Sequence, residues 1–203
     1  MDNWRSTNDR LRSFWSCYCC ITNQWIYIQM KTKLDNALCK KYPKIFAERN
    51  LPMSQTCMCW GFPGDGWYHI IDNLCGAIQA RIDYNAKQIA EANIWNAIID
   101  ENRLSDLPEW ASANPKRRLV PDVIEQVVAE QVKEKFGGLR FYFRGGDEVI
   151  HNYVDFAEHL SYSTCEQCGK PGEVYSDGWI QTLCKVHAKK AGRSHLDKNE
   201  PQK

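Results

Sequence analysis

The chain predicts an α+β fold, with a mainly helical body carrying a short sheet and a small C-terminal module closed by its own side chains. Three observations predict it. Apolar residues recur at helical spacing through much of residues 31–160, one segment alternates with period two, and a Cys-x2-Cys pair is followed after fifteen residues by Cys-x2-His. A chain of 203 residues is long enough to bury a core unaided. The ligand set therefore serves the appended module.

Residues 1–29 differ from the rest. They are crowded with Trp, Cys, Asn and Ser, and no charged residue occurs between Arg12 and Lys31. Thr22, Asn23 and Gln24 interrupt that run, which falls short of the roughly 20 apolar residues a spanning helix needs. Asp2 and Asp9 dilute the positive start that a secretory leader requires. Met30 opens an orderly amphipathic segment, so the expectation is that translation starts there and that 1–29 is a non-native or disordered extension.

From residue 31, Leu34, Leu38, Tyr42, Ile45 and Phe46 predict a helix that Pro43 ends or kinks. Residues 57–67, with four glycine or proline positions among large aromatics, predict a tight loop packed by Trp60, Phe62 and Trp67. Ile70, Ile71, Leu74, Cys75, Ile78 and Ile82 trace one helix, and Ile89, Ile94, Trp95, Ile98 and Ile99 a second. Residues 102–121 contain three prolines and no period, predicting a long connection whose Pro115–Arg118 run is either a solvated loop or a phosphate contact.

Val123, Ile124, Val127, Val128 and Val132 then predict an amphipathic helix capped at Phe136-Gly137-Gly138. Leu139, Phe141 and Phe143 alternate with Arg140, Tyr142 and Arg144, predicting a half-buried strand. Val149, Ile150, Tyr153, Phe156, Ala157 and Leu160 predict a last body helix.

Cys165, Cys168, Cys184 and His187 offer four soft donors in two close pairs, the pattern of a tetrahedral structural zinc site. Gly169, Pro171 and Gly172 suit a turn after the first pair, Val174–Gln181 a hairpin about Asp177-Gly178, and residues 184–191 a helix. Knuckle, hairpin and helix in that order predict a treble-clef-like zinc finger. Disulfides and an iron–sulfur cluster are the competing readings; three thiolates suit a cluster poorly, and Gly169 after Cys168 rules out haem attachment by that motif.

Ten cysteines could imply a disulfide framework, but Cys17, Cys19 and Cys20 form one tight cluster and Cys57 and Cys59 another, whose neighbours cannot readily bridge each other, while Cys39 and Cys75 sit singly in helical patterns. A reducing cytoplasm is the expected compartment, with no membrane association. Lys plus Arg (26) nearly balances Asp plus Glu (25), which removes the strong positive field of a dedicated nucleic-acid binder. Any such contact must be a local patch, and Lys185, Lys189, Lys190 and Arg193 around the last helix are its candidates. Those same cations also balance a three-thiolate centre.

No catalytic constellation accompanies the ligands. All four donors are used, which leaves no open coordination position, and His151, His159 and His195 do not form the paired-histidine motif of treble-clef nucleases. Asp65-Gly66-Trp67-Tyr68-His69 holds an acid and a histidine without a nucleophile, and is expected to be a packed loop.

Residues 133–142 (KEKFGGLRFY), Ala157-Glu158, 165–169 (CEQCG) and 182–187 (TLCKVH) resemble an uncharacterised family of small proteins of bacteriophages, prophages and bacteria. Lys41-Tyr42-Pro43 and Asp65-Gly66-Trp67 resemble it too. The resemblance covers about residues 31–190, excludes the first 29, and implies origin without an activity.

The sequence therefore predicts an N-terminal extension (1–29), an α+β body (30–163), a zinc module (164–195) and a flexible tail (196–203). The expected function is that of a phage-derived, non-enzymatic accessory protein binding a host or phage macromolecule, with structural Zn2+ as cofactor and a protein as first-choice partner. A nucleic-acid-binding finger and a metal-dependent treble-clef nuclease are the alternatives.

Overall fold

The computed structural model describes residues 29–52 and 62–193. The expectations for residues 1–28, for Cys57, Cys59 and Trp60 in the aromatic loop, and for the tail from residue 194 lie outside the described residues. Within them the architecture is mixed: helices and two short antiparallel two-stranded sheets, as an α+β chain requires.

Helix α1 (Thr32–Lys41) ends where predicted, because Pro43 cannot continue it. Lys41 pairs with Asp72 at 2.8 Å, and the Tyr42 hydroxyl lies 2.9 Å from Asp72 Oδ1. Ile45 and Phe46 then turn into the core, where Phe46 meets Phe62 edge-on.

Helix α2 (Tyr68–Asp100) is continuous over 33 residues, about 50 Å at 1.5 Å per residue. The sequence pattern predicts two helices here, and the structure corrects it. Residues 83–88 hold no breaker; what changes along the helix is its neighbour. Ile71, Leu74, Cys75, Ile78 and Ile82 bury one stripe in the main core, whereas Ala92 and Asn96 are buried farther along.

That distal half is covered by the connection that follows, which includes the short helix α3 (Glu109–Ser112) and then returns antiparallel along α2. Side-chain amides of α2 replace a strand ladder for this segment. Asn96 donates to Arg118 O (2.9 Å) and accepts from Arg118 N (2.8 Å), and Asn85 does the same for Asp122 O and Ile124 N, both at 2.9 Å. Trp95 donates to Lys116 O, stacks on Trp110 and lies under the Arg118 guanidinium. Arg117 pairs with Asp100. The Pro115–Arg118 run is thus an irregular segment tied along α2, with Lys116, Arg117 and Arg118 exposed to solvent.

The helix predicted over residues 123–132 is not formed. Residues 119–127 form neither helix nor strand, and β1 (Val128–Lys135) pairs antiparallel with β2 (Gly138–Arg144). A bulge at Glu130 explains the misleading period. Val127, Ala129 and Val132 all enter the core, and the extra residue between the last two turns a spacing of two into three, which imitates one side of a helix. β-branched residues then favour the extended form.

The Phe136-Gly137 pair is likewise a hairpin turn and not a helix cap. Both residues have positive φ, +55° and +76°, as a two-residue turn matching strand twist requires.

Helix α4 (Glu148–Ser161) starts at Asp147, whose side chain accepts from Ile150 N at 3.0 Å, and buries Ile150, Val154 and Ala157 against α2 and β2. Its last turns also close the outer edge of β2. Glu158 accepts from Phe141 N (2.9 Å) and Ser161 from Leu139 N (2.8 Å), pairing two of that edge's ladder donors. Strands β3 (Glu173–Tyr175) and β4 (Gln181–Leu183) and helix α5 (Lys185–Lys190) follow and enclose a second cluster of Cys165, Tyr175, Leu183, Cys184 and Ala188.

Two outcomes test this packing. Asn96→Ala leaves both backbone groups of Arg118 unpaired and should cost about 1–2 kcal/mol in urea denaturation. It should also speed hydrogen exchange in residues 104–120. Arg81 beside Asp147 holds that carboxyl below its ordinary range. The stability it adds is complete above about pH 4 and is lost as pH falls through the lowered folded value. Asp147→Asn should flatten this acid limb in denaturation curves.

Candidate metal centre

The centre is built on the chain reversal after α4. Cys165 N donates to Lys170 O (2.8 Å), Gly169 N to Cys165 O (2.9 Å) and Gly172 N to Ser163 O (2.8 Å), folding residues 163–172 into a tight knuckle. Gly169 has φ +73°, the left-handed conformation that a knuckle of this kind demands. The second pair comes from the end of β4: Cys184 precedes α5, and His187 lies within its first turn.

Four donor atoms converge. Cys168 Sγ is 3.8 Å from Cys184 Sγ, and His187 Nδ1 is 3.3 Å from Cys165 Sγ and 3.4 Å from Cys184 Sγ. All four lie within 4.8 Å of one another. A tetrahedral ion bound at ordinary zinc–sulfur and zinc–nitrogen lengths needs donor separations of about 3.8 Å between sulfurs and about 3.6 Å between sulfur and nitrogen. The donors fit a single four-coordinate metal ion. Among the described residues no other group of His, Cys, Asp and Glu gathers in this way.

Electrostatics agree with the geometry. Burial pushes the Cys165 thiol up to about 11, although N–H groups of Cys184, Cys168 and Gln167 face its sulfur and oppose the rise. The Cys184 thiol is held below its ordinary value, chiefly by the His187 N–H and also by that of Val186. A cation bound among the donors supplies the charge compensation that the buried Cys165 thiolate lacks. Cys168 is the exposed member of the set.

The knuckle is seated on the body through backbone. A Cβ on Gly66 would lie 2.1 Å from Cys165 O and 2.5 Å from Gly169 N, so only glycine fits. Gly66 N donates to Glu166 O (2.8 Å), and the fully buried Trp67 donates from Nε1 to Thr164 O (2.8 Å). Glu166 is 3% exposed. Its carboxylate accepts from Gly64 N at 3.3 Å, its own N–H donates to Thr182 O, and burial pushes its carboxyl up to about 7. On the other flank Thr182 Oγ1 donates to Gly137 O (2.6 Å), tying β4 to the β1–β2 turn.

These contacts define the Asp65–His69 segment. Asp65 accepts from Lys31 N (2.7 Å) and pairs with Lys31 Nζ (2.8 Å), Trp67 is buried, and His69 packs against Tyr68. It is a docking loop, as packing predicted, but its neighbour is the metal knuckle. Glu166 went unnoticed in the sequence; a carboxylate between two ligand cysteines was the available signal.

The candidate partner-binding cations divide. Lys185, Lys189 and Lys190 are exposed. Arg193 turns inward, donating to Asp177 O (2.7 Å) and Trp179 O (2.8 Å) with its side chain 13% exposed, and so it clasps the β3–β4 loop. No helix among the described residues is long and apolar enough to cross a membrane. Comparison with family models, curated proteins and solved structures finds no match to this chain.

Gly66→Ala should therefore damage a site whose ligands it does not touch. The expected cost is at least about 2 kcal/mol, from overpacking backbone against backbone. Metal affinity should fall with it, read by chelator competition on the purified variant.

Proposed function

We propose that this protein is a zinc-stabilised recognition protein in which Cys165, Cys168, Cys184 and His187 hold a structural Zn2+ in a treble-clef-like arrangement, and that it acts by binding a macromolecular partner. The convergence of all four donors within 4.8 Å of one another carries this reading. Three sulfurs and one imidazole nitrogen favour zinc over the oxygen-seeking divalent ions. Knuckle, β3–β4 hairpin and α5 follow the chain order that the treble-clef-like reading needs.

Use of all four side chains leaves the ion no protein-built open position, which favours a structural over a catalytic role. The chemistry supplied by the ion is the cross-linking of knuckle to helix. Gly66, Trp67 and Glu166 orient that cross-linked unit on the body, and the exposed faces of the unit are what a partner meets.

A protein is the first-choice partner, in the cytoplasm, and the resemblance of residues 133–142 and of the ligand motifs supports a phage or prophage origin in which the protein modulates host machinery or defence. A nucleic-acid partner is the second reading. It is favoured by Lys185, Lys189 and Lys190 standing exposed along one short helix, and weakened by the commitment of Arg193 inside the module.

Metal analysis of the purified full chain tests the reading. It should hold one zinc per chain. Cys168→Ser should lose most of it and open residues 163–193 to proteolysis, because ligation and folding are coupled in small metal modules, while α2 and α4 stay protected. Unchanged zinc content and protease resistance in that variant would remove Cys168 from the ligand set.

A further inference from the structure

The β1–β2 hairpin has one face turned to the core and another turned away from both the core and the metal centre. Phe136 occupies the first position of the β1–β2 turn with φ +55°, where Gly, Asn or Asp sits without strain. Its side chain is 63% exposed, so the strain is not offset by burial. Backbone strain of this kind clusters at functional sites.

The surroundings define that contact. Inward residues of the hairpin are Ala129, Val132, Leu139 and Phe141; the opposite face presents Lys133, Arg140 and Tyr142, with Lys135 and Phe136 at the tip. Cations and rings alternate on it. Lys135 Nζ is 5.4 Å from the Phe136 ring centre, Lys133 Nζ 5.3 Å from that of Tyr142, and the Arg140 guanidinium carbon 5.6 Å from that of Tyr162.

We propose that the outer face of the β1–β2 hairpin, centred on Phe136, Tyr142, Lys133 and Lys135, binds single-stranded nucleic acid. Bases stack on the two exposed rings while the lysine ammonium groups meet the phosphates. Arg140, held by Glu158 and Tyr162, positions the face and makes no phosphate contact of its own. The Thr182–Gly137 hydrogen bond fixes the tip to the metal module, so zinc would steady this surface without touching the ligand. The proposal goes beyond the partner reading above and does not use α5.

The test uses the zinc-loaded full chain with fluorescent oligo-dT and oligo-rU of about twelve nucleotides, a length within the range of known single-strand sites. Saturable binding to either, falling steeply with added salt, is expected; a preference between the two reports whether the sugar hydroxyl is read. Phe136→Ala and Tyr142→Ala should each weaken binding roughly tenfold, and the Lys133→Glu/Lys135→Glu pair should abolish it, with zinc content unchanged in each.

Phe136→Asn separates binding from folding. It should weaken binding as much as Phe136→Ala while raising thermal stability, because Asn tolerates the turn. Four results would overturn the proposal: no saturable binding to either oligonucleotide; binding indifferent to the hairpin variants; loss only on charge reversal of Lys185, Lys189 and Lys190; or equal affinity for polyglutamate, which carries charge without bases. One zinc per chain without oligonucleotide binding would sink this inference and leave the metal reading standing.

Discussion

The approach of Gly66 to the Cys165–Gly169 backbone is the contact on which the rest of this molecule depends. Hydrogen bonds from Gly66 and Trp67 and the carboxylate of Glu166 join the two surfaces at a separation no side chain can enter. A small metal module commonly stands apart on its own linker; here the knuckle rests against the start of the longest helix. Local order in the ligand set and packing of the body are therefore coupled, since a shift of α2 at Trp67 must move Thr164 and the cysteine beside it.

This coupling would give a bound ion a restricted task. Donors already drawn to tetrahedral spacing by the knuckle and by α5 need little rearrangement to bind, and an ion with four protein ligands lacks the vacant position that metal-assisted hydrolysis requires. The buried thiol of Cys165 and the facing N–H groups of residues 167, 168 and 184 create an environment that favours a bound cation. The consequence of binding would be mechanical. The β3–β4 hairpin, α5 and, through Thr182, the tip of the β1–β2 hairpin keep fixed relative positions.

Much of this was legible in the sequence where the signal is local. The Cys-Cys and Cys-His spacing picked out the four side chains that the fold brings together, Pro43 marked the end of α1, and the alternation from Leu139 to Phe143 gave β2. The failures were non-local. Val127 and Val132 imitate part of a helical stripe because a bulge at Glu130 inserts one residue between the core positions Ala129 and Val132, and only pairing with β2 reveals it. Two apolar stripes in α2 looked like two helices because the neighbour changes along its length. Asn85 and Asn96, which bind the returning chain through their amides, carry no pattern that a linear reading can find, and the role of Gly66 is visible only when residues about a hundred positions away are in place.

X-ray absorption at the metal edge of the purified full chain tests the central claim most directly, because it reports the ligand atoms themselves. The predicted result is stoichiometric zinc with three sulfurs at about 2.3 Å and one nitrogen at about 2.0–2.1 Å. A shell dominated by oxygen, a sulfur count of two or fewer, or a chain that folds without stoichiometric metal would contradict it.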